Sequence, residues 1–255
     1  MCLACGPAPL SRRRFLQGAA LSAPLTAAGC DLPFLVSEAE AARMGQEAWA
    51  QIRAKTPLSR DARLAGIVRR VAGRLLRAAG HDVTGWEFAV FAGPTVNAFA
   101  LPGKKIGIYE GMMQLAADEG QVAAVIGHEI GHVDAAHSRE RMSAQMAGNA
   151  VVRVIAWLLN AGEVEYAEEI AGALGVGLEF GVLRPYGRGQ EAEADVLGLR
   201  TMAAAGYDPA AAIGLWERMA ARGGRGAPEF LSTHPAPRSR IEALREEIEG
   251  LGAAA

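Results

Sequence analysis

His128-Glu129-Ile130-Gly131-His132, carried on the apolar run Val122-Ala123-Ala124-Val125-Ile126, decides how this chain is read. On a helix, side chains four positions apart leave one face about a turn apart, so both imidazoles reach a single metal ion while Glu129 lies beside them. Two imidazoles make half a site. A catalytic zinc takes three protein ligands and keeps a position for water. Glu191, in Glu191-Ala192-Glu193-Ala194-Asp195 on a second predicted helix, offers a carboxylate that completes a His, His, Glu set. Asp195, one turn later, is placed to orient a ligand imidazole through its other nitrogen. The competing reading is chance, since the five-residue string can arise on any alanine-rich helix. The apolar stretch before the motif and the paired acids after it weigh against chance, because they supply a packing face and the missing ligand.

Other segments carry a resemblance. Asn97-Ala98-Phe99-Ala100-Leu101-Pro102-Gly103, the histidine motif, Arg184-Pro185-Tyr186, Glu191 to Asp195, and Ser232-Thr233-His234-Pro235 followed by Arg240-Ile241 run in order along the chain. From about Ala39 to Leu244 it resembles the HtpX/BepA group of zinc metallopeptidases, relatives of the type 1 CAAX prenyl proteases, in its soluble periplasmic form. The resemblance implies an α+β fold, mostly helical: a zincin-like, gluzincin-type domain with a small β-sheet and an edge strand beside the motif helix. It implies one zinc per chain on His128, His132 and Glu191, with Glu129 as general base. It also implies a substrate-binding strand from Asn97 through Ala98, Phe99 and Ala100 to Leu101. His234 is expected to approach the metal and Arg240 to support the site, both facing the negative charge that develops during hydrolysis. One departure is local: Leu183-Arg184-Pro185-Tyr186-Gly187-Arg188 stands where soluble members show a Leu-Pro-Tyr-Ser-Arg-like lead, which leaves the path into the third ligand open.

The implied function is zinc-dependent endoproteolysis of unfolded or damaged envelope proteins, a quality-control role with polypeptides as partners. The alternative is a zinc-stiffened periplasmic chaperone or adaptor with little proteolysis, against which an intact Glu129 argues. A purely structural zinc prefers four closed ligands, often cysteine, and no cysteine lies near the motif. His234 has two readings. Its neutral imidazole can take the position of the water and hold the site shut, with Gly223-Gly224-Arg225-Gly226 as a flexible lead, or it can donate to the tetrahedral intermediate. His137 follows His132 by five positions, about 140° around an unbroken helix, and reads as a supporting or structural group. His81, between Gly80 and Asp82, reads as a solvated surface residue.

A chain of 255 residues, 51% apolar, buries one full-sized core, and no linker-like run interrupts it after the first thirty residues. Residues 1–29 read as a targeting segment: Ser11-Arg12-Arg13-Arg14-Phe15-Leu16-Gln17, then an uncharged, alanine-rich stretch too short to span a bilayer comfortably. The arginines followed by Phe-Leu resemble a twin-arginine signal; an ordinary secretory signal is the alternative. Loss of this segment removes Cys2 and Cys5 and leaves Cys30 as the sole thiol, so no internal disulfide forms. Ala27-Ala28-Gly29-Cys30 resembles a lipobox, with Ala27 where leucine is usual. The expectation is a 1–29 signal, a lipidated Cys30 and a single metallopeptidase domain over 30–255, on the periplasmic side of a bacterial envelope. Without Arg12, Arg13 and Arg14 the balance is 23 basic against 28 acidic residues, a formal −5, and nothing points to nucleic acid.

Along the mature chain, 38–79 predicts two amphipathic helices broken at Thr56-Pro57-Leu58-Ser59, with Ser59 or Asp61 as a cap. Trp86 to Ala92 reads as a strand, and Val96–Leu101 with Ile106–Tyr109 as a hairpin around Pro102-Gly103. Helices are expected over 111–117, 119–136, 145–159, 167–182, 188–204 and 235–249. Those over 145–159 and 167–182 are apolar but carry Arg153 and Glu179, so core packing or a lid is expected of them rather than membrane insertion.

Overall fold

The computed structural model describes residues 34–161, 169–170, 172–173, 175, 184–222, 228–234 and 238–253. The 1–29 segment, Cys30, the glycine-rich 223–226 stretch and most of the helix expected over 167–182 lie outside the described residues. What is described groups into one compact unit.

Two helices open it, α1 (Glu38–Lys55) and α2 (Ala62–Ala78), and both begin where a short polar side chain can cap the free N–H groups of the first turn. Ser37 accepts from the Glu40 N–H, and Asp61 accepts from the Arg63 N–H. The apolar side of α2 is buried at Val68, Val71, Leu75 and Leu76, with Ile67 half-buried beside them. Three strands follow, β1 (Glu87–Phe91), β2 (Ala98–Leu101) and β3 (Lys105–Tyr109). The expected hairpin is present, β2 antiparallel to β3 with Phe99 opposite Gly107. Strand β1 pairs parallel to the far side of β3, giving the order β1-β3-β2 and leaving one edge of β2 free of any strand among the described residues. One sheet face carries Phe91, Phe99 and Tyr109 against Trp49 of α1, while Ile106 and Ile108 are fully buried in the main core.

A short α3 (Glu110–Leu115) leads to α4 (Glu119–Asp134), capped by Asp118 through the Gln121 N–H. From Gln121 to His132 every residue of α4 is buried, as expected of a helix enclosed on all sides. Its main neighbour is α6 (Arg184–Ala204), and the two backbones nearly touch. A Cβ at Gly198 of α6 would lie 2.9 Å from the carbonyl carbon of Gly127 and 2.9 Å from the His128 nitrogen, so only glycine permits this approach. Helix α7 (Ala211–Ala221), the single turn α8 (Phe230–Thr233) and α9 (Arg238–Ala253) close the unit.

Helix α5 (His137–Ala161) differs from expectation in two ways. It starts at His137 because Ala136 takes a left-handed φ of 56°, which ends α4 and begins a new helix in another direction. Its apolar half is not packed into the core: only His137, Ser143 and Gly148 are buried on it. The α+β, mostly helical class with a small sheet stands as expected.

Candidate metal centre

The site is built where α4, α6 and the segment after α8 meet. His128 and His132 point from one face of α4, with Nε2 atoms 3.1 Å apart. Glu191 enters from α6, its Oε2 3.3 Å from His128 Nε2 and its Oε1 3.3 Å from His132 Nε2. His234 completes the group, its Nδ1 2.9 Å from Glu191 Oε2 and 3.1 Å from His128 Nε2. All four residues are buried, and one ligand atom from each lies within 4.8 Å of the others.

The donor set can hold a metal ion, and its geometry fits zinc. Four bonds of about 2.0–2.1 Å arranged tetrahedrally place ligand atoms about 3.3–3.4 Å apart; the five contacts named above, which use both Glu191 oxygens, run from 2.9 to 3.3 Å, and one ligand atom from each residue lies within 4.8 Å of the others. Lone-pair atoms gathered this closely in a buried pocket repel one another unless a cation or shared protons lie between them.

The surrounding contacts fix which nitrogen is free. His128 Nδ1 lies 2.9 Å from Asp195 Oδ1, so its N–H donates there and Nε2 keeps a lone pair for the metal. His132 is fixed by a longer relay. Its Nδ1 lies 2.8 Å from His137 Nδ1, and His137 Nε2 lies 3.2 Å from Glu193 Oε2. A carboxylate accepts from His137, which accepts from His132, which leaves His132 Nε2 free. The left-handed Ala136 makes this possible: on an unbroken helix His137 would face away, whereas the new helix turns it back onto His132.

Electrostatics follow. Burial opposes a charge on His128, but Asp195 and Glu191 outweigh it and raise the metal-free ring to about 9. Burial dominates at His132 and lowers it to about 4. Burial also works against ionised Glu191, yet in the metal-free site the His128, His132 and His234 rings around it hold it far below the usual carboxylate range.

Arg240 does not face open space. It is buried behind the ligands, with Nε 2.5 Å and Nη2 2.7 Å from the Asp195 oxygens, Nη1 3.3 Å from Glu191 Oε2, and its guanidinium 3.9 Å above the Trp216 ring. These contacts hold Asp195 and Glu191 in place. His81 is not simply solvated, since its Nε2 lies 2.6 Å from Asp134 Oδ1 and its ring sits edge-on to Trp86.

On the open side, a cavity of about 180 Å³ is bordered by the Asn97–Ala100 strand, Glu129, His132, Arg141 and His234. Ala100 N–H donates to Glu129 Oε2 at 2.8 Å from the free edge of β2, and Glu129 Oε1 has no hydrogen-bond partner among the described residues. Ala98 N–H is held by the Asn97 side chain at 2.9 Å. Sequence reasoning missed Glu193, Arg141 and Gln190. Arg141 donates to Gln190 Oε1 at 2.6 Å and to Glu191 Oε1 at 3.2 Å. Glu193 was visible inside the acidic motif, but its use depends on the turn at Ala136, which no residue type announces.

Comparison with known proteins places this arrangement. The model of Peptidase family M48 matches residues 59–248. Mitochondrial metalloendopeptidase OMA1 of Schizosaccharomyces pombe is 39% identical over 181 residues, covering 70% of this chain and 51% of that protein. The protein of the same name from Saccharomyces cerevisiae is 38% identical over 166 residues, 62% of this chain and 45% of the relative. Beta-barrel assembly-enhancing protease of Escherichia coli is 28% identical over 213 residues, 80% of this chain and 42% of that protein. The chain thus spans about half, or less, of the length of these relatives. With the family pattern running from α2 into α9 and its motif residues gathered into one donor set, the chain belongs to peptidase family M48.

Proposed function

We propose that this protein is a zinc-dependent endopeptidase that hydrolyses peptide bonds in unfolded or damaged proteins of the cell envelope, with one zinc on His128, His132 and Glu191. The observation that carries this reading is the free edge of β2 lying directly against Glu129 beside the donor set. When bound, zinc supplies the Lewis acidity that polarises a carbonyl and activates a water at neutral pH. The chain's own groups do the rest. An extended polypeptide adds to the free edge of β2 through main-chain hydrogen bonds, which makes little demand on sequence and favours unfolded segments. Pairing at Ala100 takes the N–H that now holds Glu129 Oε2 and frees the carboxylate. Glu129 then accepts the proton of the attacking water and returns it to the leaving amine.

Four donors close the centre, and His234 is the one that did not come with a helix motif. Its Nδ1 lies 2.9 Å from Glu191 Oε2, within reach of a fourth position on a zinc held by the other three, which supports the role of a latch over that of a transition-state donor. Opening requires the turn after α8 to carry His234 away. Replacement of His234 by Ala is then expected to raise basal cleavage of an unfolded substrate, and a fall in turnover at unchanged zinc content sinks the latch.

The envelope location rests on the chain's own N-terminal residues, the arginine-led 1–29 segment and Cys30 as a lipid-bearing start. Among the relatives, the name of one speaks of β-barrel assembly and that of others of mitochondria. Mass spectrometry of the native N-terminus tests the tether, and an unmodified start elsewhere rules it out. Substituting Glu129 with Gln tests the activity: zinc should stay at wild-type level while cleavage of denatured casein disappears. A variant that still cleaves refutes the enzyme reading. A wild type that suppresses client aggregation equally well with Gln at 129, and never cleaves, transfers the function to the chaperone alternative.

A further inference from the structure

Arg141, on α5 one turn after His137, reaches the open side of the metal centre, where it borders the same cavity as the Asn97–Ala100 strand, Glu129, His132 and His234. A guanidinium carries five N–H donors in a planar fork. Two of them are engaged: Nε donates to Gln190 Oε1 at 2.6 Å and Nη2 to Glu191 Oε1 at 3.2 Å. The other N–H groups have no partner among the described residues, and 44% of the side chain is exposed. The fork is held all the same. Gln190 is 3% exposed and donates in turn to Glu140 Oε2 at 2.7 Å, so a buried amide fixes the guanidinium at the cleft wall. The acids nearby are accounted for. Glu140 accepts from Gln190, Glu193 from His137 and Glu129 from the Ala100 N–H, which leaves Glu191 as the acid in contact with the fork. Among the described residues that border this cavity, Arg141 is the only arginine or lysine.

A polypeptide strand paired with the edge of β2 turns alternate carbonyls to its other side, where the donor set and Arg141 lie. The Glu191 oxygen that Nη2 touches belongs to that donor set, so the fork reaches the atoms around which the scissile carbonyl reacts. Hydrolysis joins the water oxygen to the carbonyl carbon and puts negative charge on the carbonyl oxygen before the C–N bond breaks. The Ala100 N–H is taken by the substrate strand, and His234 leaves with its turn if it is a latch. We infer that Arg141 is a catalytic residue of this hydrolysis, its unpartnered N–H groups donating to the carbonyl oxygen as negative charge develops there. Arg141 gives hydrogen bonds and positive charge and keeps its own protons, while Glu129 carries the proton from water to the leaving amine. Support of Glu191 alone does not account for it: Arg240 already holds the other oxygen of Glu191 at 3.3 Å and is 7% exposed, whereas Arg141 turns the rest of its fork to the cleft. Recognition of a substrate carboxylate does not account for it either, since a chain cut in its middle brings peptide carbonyls to this point. The inference rests on the peptidase reading and adds a residue to it.

The zinc-loaded full chain is compared with Arg141→Ala and Arg141→Lys on a fluorogenic peptide from a casein segment that the wild type cleaves. Binding of a phosphinic peptide of the same sequence, whose tetrahedral anionic group imitates the charged intermediate, is measured beside it. Loss of one such donor lowers kcat by about 10²–10³-fold, so Arg141→Ala should fall by that factor with KM nearly unchanged. The phosphinic peptide should bind this variant more weakly by about the same factor, because it takes the contacts of the transition state. Arg141→Lys keeps the charge without the fork and should fall between the two. Added guanidinium should restore part of the kcat of Arg141→Ala and leave the wild type as it was. A loss of kcat that disappears in excess zinc makes Arg141 a support for Glu191 and overturns the inference. A loss confined to KM, or an unchanged kcat with unchanged phosphinic affinity, overturns it as well while the peptidase reading stands. A zinc-loaded wild type that cleaves nothing and binds the phosphinic peptide no better than the amide refutes the peptidase reading, and the inference falls with it.

Discussion

Gly198→Ala separates the metal centre from the general stability of the fold. The added Cβ would lie 2.9 Å from two backbone atoms of α4, Gly127 C and His128 N. Ordinary contact begins near 3.4 Å, so α6 must retreat from α4 by about 0.5 Å, an overpacking that costs roughly 1–3 kcal/mol. Alanine in a helix recovers roughly 1 kcal/mol over glycine. The metal-free fold should therefore lose only about 1 kcal/mol, or about 2–4 °C in melting temperature for a chain of this size. The centre is far less tolerant. Glu191 and Asp195 ride on α6 while His128 and His132 ride on α4, and a metal site tolerates about 0.2 Å of displacement. A roughly 10–100-fold loss of zinc affinity is expected, the size seen when ligand orientation is disturbed. Competition with a chromophoric chelator measures the affinity, and melting of metal-free protein measures the fold. Wild-type zinc affinity in the variant refutes the reasoning, and so does an unfolded metal-free chain.

Other expectations follow from the same geometry. Glu191→Ala removes the carboxylate shared by three histidines and should abolish tight zinc binding, with metal analysis as the readout. Glu193→Gln or His137→Ala breaks the relay that orients His132 and should weaken zinc binding about tenfold or more in chelator competition. Arg240→Lys loses the two-pronged grip on Asp195 and should weaken binding similarly, though the charge is kept. In the metal-free chain His128 titrates near 9 against about 6.5 when unfolded. Its folded pKa is raised, so its contribution to metal-free stability is complete below about 6.5 and fades as pH climbs through 9. Zinc must displace that proton, so apparent affinity should rise with pH over the same window; an affinity flat from pH 6.5 to 9 contradicts the assignment.

The centre was legible where spacing alone carries geometry. Histidines four apart on α4 and carboxylates four apart on α6 are local facts of helix pitch, and both pairs meet as the sequence implied. The hairpin was legible from its Pro-Gly turn and alternating strands. Long-range arrangement was not. Nothing in residues 86–92 says that β1 pairs parallel with β3, and this pairing leaves β2 at the edge beside Glu129. The left-handed turn at Ala136 is hidden because alanine ordinarily continues a helix, so the sequence puts His137 about 140° from His132 as a supporting or structural group, and only the turn brings the two rings together. The resemblance implies that Arg240 supports the site, and its grip on Asp195 and its stacking on Trp216 are long-range contacts that only the packing shows.

The central claim is that His128, His132, Glu191 and His234 gather around one zinc, and X-ray absorption at the zinc edge on the loaded full chain tests it most directly. The account predicts one zinc per chain with four nitrogen and oxygen neighbours at about 2.0–2.1 Å, imidazole scattering, and one fewer imidazole with retained zinc in His234→Ala. A shell containing sulfur, a six-oxygen shell, or a chain that retains no zinc would contradict it.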